Sequence, residues 1–308
     1  GLSMGGSISR SVSVGYTDLL TSALALNTGP EFYIGEKGRR SLWRPKDNVL
    51  NHEHTMIRLI RASGEFISQY HEETREAYAI TPSVDFEFRQ DEYHRHWATS
   101  IGETFAFHMR AFANPDLDAA AAHWTYASAY RKFTVHGYEV TSDAIGPGLI
   151  YLSHVTAGEL GVHSRRWAPD GPAASCSSVT IQTAAIYRQN TEYRLLDLDL
   201  QSGKTNEKDL RSNAAGRLEI HTDCSGHEIG INGPGVSGQP PVLLPVTKAD
   251  WLRLPPNQPL SIPIRLFNPS TSNQDGVHVE MSSEYPTVKM LKASSRTVSI
   301  APGAVVDL

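Results

Sequence analysis

The sequence begins Gly1-Leu2-Ser3-Met4-Gly5-Gly6 (GLSMGG), and this stretch decides how the first third of the chain is interpreted. A Gly-x-Ser-x-Gly pattern is typical of a tight turn between a strand and a helix, in which the serine hydroxyl is exposed. The glycines remove side chains that would clash in the turn. The N-terminus of the next helix favours negative charge that develops beside the serine. The pattern predicts that Ser3 is a nucleophile followed directly by a helix.

Helical and strand patterns alternate after this turn, up to about residue 113. The predicted helices are SISRSVSVGY (7–16), SQYHEETREAYAI (68–80) and WATSIGETFAFHMRAF (97–112), the last with Ile101, Phe105, Met109 and Phe112 at helical spacing. The predicted strands are LLTSALALNTG (19–29), TMIRLIRASGE (55–65) and VDFEFRQ (84–90). Such alternation predicts an α/β unit with a largely parallel sheet covered by helices.

A carboxylate and two histidines follow the later strands of this unit. A serine nucleophile needs a histidine that takes its proton and a carboxylate that orients the histidine. Glu65 comes directly after the second predicted strand, and His94 and His96 come shortly after the third. The order of serine, acid and histidine along the chain is the order found in α/β-hydrolases.

Residues 1–113 resemble the C-terminal half of the esterase family of α/β-hydrolases that includes enterochelin-esterase-like and S-formylglutathione-hydrolase-like enzymes. GLSMGG resembles the G-x-S-M-G-G elbow of that family. HRHWATSIGETFAFHMRAF (94–112) resembles its closing segment, in which a histidine precedes an aromatic residue and a terminal amphipathic helix. The resemblance implies a partial α/β-hydrolase sheet and hydrolysis of carboxylic esters through an acyl-enzyme, with no cofactor and no metal.

The resemblance also implies roles for individual residues. Ser3 would be the nucleophile, and the backbone N–H of Met4 would donate to the oxyanion. The base would be His96 or His94, with His96 preferred because it lies nearer the helix. The acid would be Glu65, although such families often have Asp at this position; Glu72, Glu73 and Asp91 are the other candidates.

From about residue 130 the sequence changes to short apolar runs separated by Gly, Pro, Asp and Asn, which is typical of an all-β sandwich. NGPGVSGQPP (232–241) is the most loop-like segment and a candidate boundary. The strand patterns after it indicate a second, immunoglobulin-like sandwich with only three or four strands, so this unit is expected to be incomplete. The predicted division is an α/β unit over 1–115, a linker over 116–129, a sandwich over 130–240 and an immunoglobulin-like unit over 241–308.

The stretch HTDCSGHEIGINGPG (221–235) is the most distinctive of the β region. His221, Asp223 and His227 could ligate a metal, but a glycine-rich hairpin between GRLEIHT (216–222) and HEIGI is the preferred interpretation. Asp197 and Asp199 share one strand face, which is most simply a solvent face. The two cysteines, Cys176 and Cys224, allow one disulfide or none.

Composition excludes some partners. A formal net charge of −5 without a run of Lys or Arg argues against nucleic acid and anionic membranes. No apolar stretch approaches the roughly 18 residues that a membrane span requires. The expected substrate is a small-molecule or carbohydrate ester. Appended β-sandwiches favour an extracytoplasmic location by analogy, and the oligomeric state is not predicted.

An α/β-hydrolase places most of its strands before the nucleophile, and the chain begins at the elbow. The sequence is therefore expected to be part of a longer esterase, and these 308 residues alone are expected to be inactive. The alternative is a non-catalytic binding or surface protein whose β domains bind carbohydrate.

Overall fold

A computed structural model describes residues 4–29, 31–44, 48–62, 68–81, 84–91, 101–113, 122–166, 171–174, 176–236, 239–244, 259, 263–281 and 295–308. The described part is rich in β-strands, which form several sheets, and its α-helices lie in the first third of the chain. These are α1 (Met4–Gly15), α2 (Ser68–Ala79) and α3 (Ile101–Ala113). The strands of the same third are β1 (Ser22–Leu26), β2 (Phe32–Ile34), β3 (Ser41–Trp43), β4 (Met56–Ala62) and β5 (Phe86–Asp91).

Three strands of this third form a parallel sheet in the order β1-β4-β5, and β2 and β3 form a separate hairpin. On one face, Ile57 and Phe86 pack against Tyr78 of α2. On the other face, Arg58 donates to Glu103 of α3 over 2.9 Å and its guanidinium lies 6.0 Å from the Phe107 ring centroid. Within the described residues, this parallel sheet therefore has a helix on each face.

The α3 helix buries a different face from the one predicted. Ile101, Phe105, Met109 and Phe112 are 45–67% exposed, whereas Phe107 and Ala111 are buried. The ion pair of Arg58 with Glu103 and its stacking on Phe107 turn that side of the helix towards the sheet. Apolar spacing predicted the helix correctly but not its orientation. The side of α3 that faces the sheet is the one on which Glu103 and Phe107 contact the buried Arg58 of β4.

The middle of the chain folds as two antiparallel sheets. Its strands are β6 (Trp124–Ser128), β7 (Lys132–Val135), β8 (Tyr138–Ser142), β9 (Leu149–Val155), β10 (Glu159–Arg165), β11 (Val179–Gln182), β12 (Glu192–Asp199), β13 (Lys204–Arg211), β14 (Glu219–Thr222) and β15 (His227–Asn232). One sheet has the order β13-β12-β15-β10-β9-β6 and the other β14-β11-β8-β7. Because alternate residues point to opposite faces, a strand such as Tyr138-Glu-Val-Thr-Ser142 buries every second side chain. The largest apolar cluster of the described residues, with Leu152, Val162, Ile181 and Ile229, takes side chains from both sheets.

The segment between β14 and β15 is not the predicted hairpin. β14 belongs to the four-stranded sheet and β15 to the six-stranded sheet, so the glycine-rich turn crosses from one sheet to the other. Cys224 lies in this crossing, is 2% exposed and forms a disulfide with Cys176. The disulfide that the sequence left open is therefore present, and it ties the crossing to the segment that leads into β11.

The last described strands form two small sheets, the first of which packs on the six-stranded sheet. They are β16 (Val242–Leu244), β17 (Arg265–Phe267), β18 (Gln274–Glu280), β19 (Ser295–Ile300) and β20 (Val305–Asp307), paired as β16-β17-β20 and β18-β19. Leu196 and Leu198 of β12 pack against Val242, Leu244 and Phe267. Residues on either side of the predicted boundary at 240 thus lie in different sheets. The predicted linker, 116–129, contains β6, a strand of the six-stranded sheet.

Among the helices that the structure describes, none is both long and apolar enough to cross a membrane.

Candidate functional site

The predicted acid and base follow strands that end at the carboxyl edge of the parallel sheet. β4 ends at Ala62, before Glu65, and β5 ends at Asp91, before His94 and His96. Because β1, β4 and β5 are parallel, these ends lie at one edge of the sheet. Ser3, Glu65, His94 and His96 themselves lie outside the described residues.

The start of α1 lies at the same edge. Ser7, in the first turns of the helix, hydrogen-bonds through Oγ to Thr28 Oγ1 over 2.6 Å, and Thr28 follows the carboxyl end of β1. One helical turn later, Arg10 donates to the carbonyl oxygen of Gly29 over 3.5 Å. Met4, the predicted oxyanion donor, is the first residue of α1, and its side chain is 81% exposed. Its backbone N–H belongs to the first turn, where helix N–H groups have no partner within the helix.

The loop that receives α1 has an unusual backbone conformation. Asn27 has a φ of +45°, in the left-handed region that non-glycine residues seldom adopt. Its N–H donates to the carbonyl of Ile60 over 2.8 Å, and Asn27 and Thr28 are 6% and 1% exposed. The turn after β1 is therefore fixed from both sides, by β4 and by α1.

Behind α1 lies a buried polar chain that joins it to α2. The Ser13 hydroxyl lies 3.0 Å from Nε2 of His52, and Nδ1 of His52 lies 2.6 Å from the Tyr78 hydroxyl. Ser13 donates to the carbonyl of Arg10, so Nε2–H of His52 donates to Ser13 and Nδ1 accepts from Tyr78. Burial, together with the charge of Arg10, lowers the pKa of His52 to about 3. Burial also raises the pKa of Tyr78 to about 12, so both groups are neutral at ordinary pH.

Sequence reasoning did not select His52 for this structural role. In the sequence, NHEHTM (51–56) shows only two histidines two residues apart, and neither Ser13 nor Tyr78 is near them. The partners of His52 come together only when α1 and α2 pack on one face of the sheet.

A shallow groove of about 390 Å³ runs beside β1. Its walls come from α1, through Ile8 and Val12, from β1, and from His108 of α3. Ser22 Oγ lies 2.8 Å from Nδ1 of His108, and burial and the charge of Arg58 lower the pKa of that histidine. Ile8 and Val12 are 65% and 42% exposed, and α3 also exposes apolar side chains. Both helices beside the groove therefore present apolar surface.

The residues considered as metal ligands in the β region have other partners. His227 lies between two carboxylates, with Nδ1 2.7 Å from Asp197 and Nε2 3.1 Å from Asp223. Burial acts to lower the pKa of His227, but the hydrogen bonds to Asp197 and Asp223 outweigh it and raise the pKa. His221 is exposed and pairs with Glu219 instead. Within the described ranges, no three His, Cys, Asp or Glu side chains are grouped so that they could hold a metal ion.

Asp197 is 7% exposed and is not on a solvent face as predicted. Asp199 instead accepts hydrogen bonds from the turn that follows β12, through the backbone of Gln201 and Ser202.

Comparison of the chain with family models, with curated proteins and with solved structures found no match.

Proposed function

We propose that the protein containing these residues is a serine carboxylic-ester hydrolase of the α/β-hydrolase type. Ser3 attacks the ester carbonyl, and His96 or His94 takes the serine proton and then passes it to the leaving alcohol. Glu65 orients the histidine, and the N–H of Met4 donates to the oxyanion. Water then attacks the acyl-enzyme, with the same histidine as base, and releases the acid.

One observation carries the proposal: α1 begins at the carboxyl edge of a parallel sheet, fixed there by the contact of Ser7 with Thr28. A serine directly before α1 would stand at the positive end of the helix dipole. The predicted acid and base follow β4 and β5, which end at this edge. An esterase of this type needs its nucleophile, acid and base at one edge of the sheet, so the shared edge of α1, β4 and β5 supports the proposal.

The disulfide between Cys176 and Cys224 supports an extracytoplasmic location. The proposed substrate is a small-molecule or carbohydrate ester.

The test labels the native protein that contains these residues with a fluorophosphonate probe, and measures hydrolysis of a p-nitrophenyl acyl ester. Labelling and hydrolysis are expected, and Ser3→Ala should abolish both. The matched control is Ser11→Ala, two turns further along α1, where the hydroxyl donates only to the Ser7 carbonyl; it should retain both. A native protein without labelling, or labelling that survives Ser3→Ala, would contradict the proposal. Glycan binding without labelling would favour the alternative of a binding protein.

A further inference from the structure

Three ionisable side chains share the outer face of the six-stranded sheet, away from the sandwich core, and two of them are in direct contact. Glu228 of β15 and His154 at the end of β9 approach each other across β10, with Nε2 of His154 2.9 Å from Oε2 of Glu228. Gly161 of β10 makes this possible, because a Cβ there would lie 3.0 Å from both Oε1 of Glu228 and Cε1 of His154. Glu159, on the same face of β10, is the third member.

Both carboxylates are buried. Glu228 is 5% exposed and Glu159 is 8% exposed, and Oε2 of Glu159 has no hydrogen-bond partner. His154 has a φ of +42°, and its backbone N–H donates to Thr125 Oγ1 of β6, so its position is fixed by β6 as well as by Glu228. Two buried carboxylates with one histidine are stable together only while protons neutralise part of their charge.

The three groups also act on one another electrostatically. Burial acts to lower the pKa of His154, but the hydrogen bond and the charge of Glu228 outweigh it and raise the pKa. Burial raises the pKa of Glu159; the positive charge of His154 opposes that rise, and the negative charge of Glu228 adds to it. Both shifts have the same sign, so the folded cluster holds protons more tightly than the unfolded chain. The stabilisation is present at low pH and is lost as pH rises through the raised pKa values.

The cluster adjoins the surface on which the C-terminal sheets are seated. Glu159 is paired in register with Gly230, where a Cβ would lie 2.0 Å from the carbonyl oxygen of Pro269. Next along β15, Asn232 donates to that same oxygen over 2.9 Å and accepts from the N–H of Thr271 over 3.0 Å. The contact of the C-terminal residues with the six-stranded sheet therefore begins at Gly230, the residue that is paired with Glu159.

Few other charges bear on His154. Among the described residues, the titratable groups that act on it or are acted on by it are Glu228, Glu159 and His163, and His163 is itself next to Arg165 on β10. Pro269 and Thr271, the described C-terminal residues that contact β15, are uncharged. Gln239, whose side chain lies over Gly158, is uncharged as well.

We propose that Glu159, Glu228 and His154 form a proton-dependent latch, which holds the C-terminal sheets on the sandwich at acidic pH and loosens as His154 loses its proton. Without that proton, two buried carboxylates would face each other beside Gly230. The contacts of Pro269 and Thr271 with β15 would then open more often.

The test measures hydrogen exchange of the Thr271 amide in the whole chain, corrected for the intrinsic rate, at about pH 5 and about pH 8, on either side of the ordinary histidine pKa. Protection of Thr271 is expected to be several-fold lower at the higher pH, because the cluster has then lost the proton that neutralises part of its buried charge. Protection of the Ile181 amide, within the four-stranded sheet, should not follow this change. Equal protection of Thr271 at both pH values would overturn the proposal.

Glu159→Gln removes one buried charge without changing the shape, so its Thr271 protection should depend less on pH than that of the unaltered chain. His221→Gln is the matched control, since His221 is exposed and pairs with Glu219 in the other sheet; it should leave the pH dependence unchanged. Should either variant fail to fold, the unaltered chain still decides, through an NMR titration of the His154 ring. Protection of Thr271 that does not follow that titration overturns the latch.

Discussion

Asn51 and Ala127 are joined as two paired strand residues would be. The Asn51 side chain accepts from the N–H of Ala127 over 2.8 Å and donates to its carbonyl over 3.0 Å, and it also donates to the carbonyl of Val14 over 3.2 Å. Ala127 belongs to β6, an edge strand of the six-stranded sheet, and Val14 belongs to α1. One side-chain amide thus hydrogen-bonds to the backbone N–H and carbonyl of the edge strand β6 and to a carbonyl near the end of α1. Trp43 and Tyr151 pack in the apolar cluster around this junction.

We expect Asn51→Ala to lower the free energy of unfolding by about 2–3 kcal/mol, because it leaves buried backbone groups of Ala127 and Val14 without partners. Asn51 is 3% exposed, so water cannot replace the amide without rearrangement. Urea unfolding of the two proteins measures the difference. Asn206→Ala, on an exposed position of β13, is the control and should change the stability by less than about 0.5 kcal/mol. A loss no larger than that of the control would show that the junction carries no stability.

Gly230→Ala should disrupt the seating of the C-terminal sheets. A Cβ at this position would lie 2.0 Å from the backbone oxygen of Pro269, and backbone cannot rotate away as a side chain could. We expect a loss of about 2 kcal/mol or more and increased proteolysis around residues 263–272. Gly102→Ala is the matched control, since nothing lies within 4 Å of its Cβ on the exposed side of α3, and it should be neutral or stabilising. Similar behaviour of the two variants would contradict the close packing.

Reduction of the disulfide between Cys176 and Cys224 should destabilise the sandwich. The bond closes a loop with a sequence separation of 48 residues, for which the chain-entropy estimate is about 4 kcal/mol. We expect a loss of about 2–4 kcal/mol in urea unfolding when dithiothreitol is added. The double variant Cys176→Ala, Cys224→Ala should already show this loss and should not respond to dithiothreitol. An unaltered chain that does not respond either would mean that the bond contributes nothing to stability.

Three strands and three helices of the first third could be predicted because each follows a local rule, whereas the hairpin of β2 and β3 was not predicted. Alternation of Val84, Phe86 and Phe88 predicted β5, helical spacing predicted α3, and the Gly-x-Ser-x-Gly motif predicted a helix directly after Ser3. What could not be predicted depends on contacts between distant segments. The orientation of α3 is decided by Arg58, and the path from β14 to β15 by which sheet each strand joins.

The candidate catalytic residues stay a prediction, because Ser3, Glu65, His94 and His96 lie outside the described residues. The order of serine, acid and histidine follows from motif and spacing alone. The fixing of α1 by Thr28 and Gly29, and by His52 through Ser13, depends on side chains 19–39 residues apart in sequence, for which no local pattern exists.

His52 should make the protein less stable in acid. Its pKa is about 3 in the folded protein because of burial and the charge of Arg10, whereas the unfolded chain has the ordinary value of 6.5. Between these values the unfolded state binds one proton more than the folded state, so stability is full above the ordinary value and falls as pH decreases. One proton corresponds to about 1.4 kcal/mol per pH unit, or about 2 kcal/mol on going from neutral pH to about pH 5.

Urea unfolding over this range, compared between the unaltered chain and His52→Gln, isolates the contribution, since other groups affect both proteins alike. His52→Gln is expected to be less stable near neutral pH, because Ser13 and Tyr78 lose well-placed partners, but its stability should fall less steeply in acid. His221→Gln, at the exposed pair with Glu219, should keep the full slope. Parallel pH profiles for the unaltered chain and His52→Gln would mean that His52 accepts a proton in the folded protein and that the chain from Ser13 to Tyr78 opens to water.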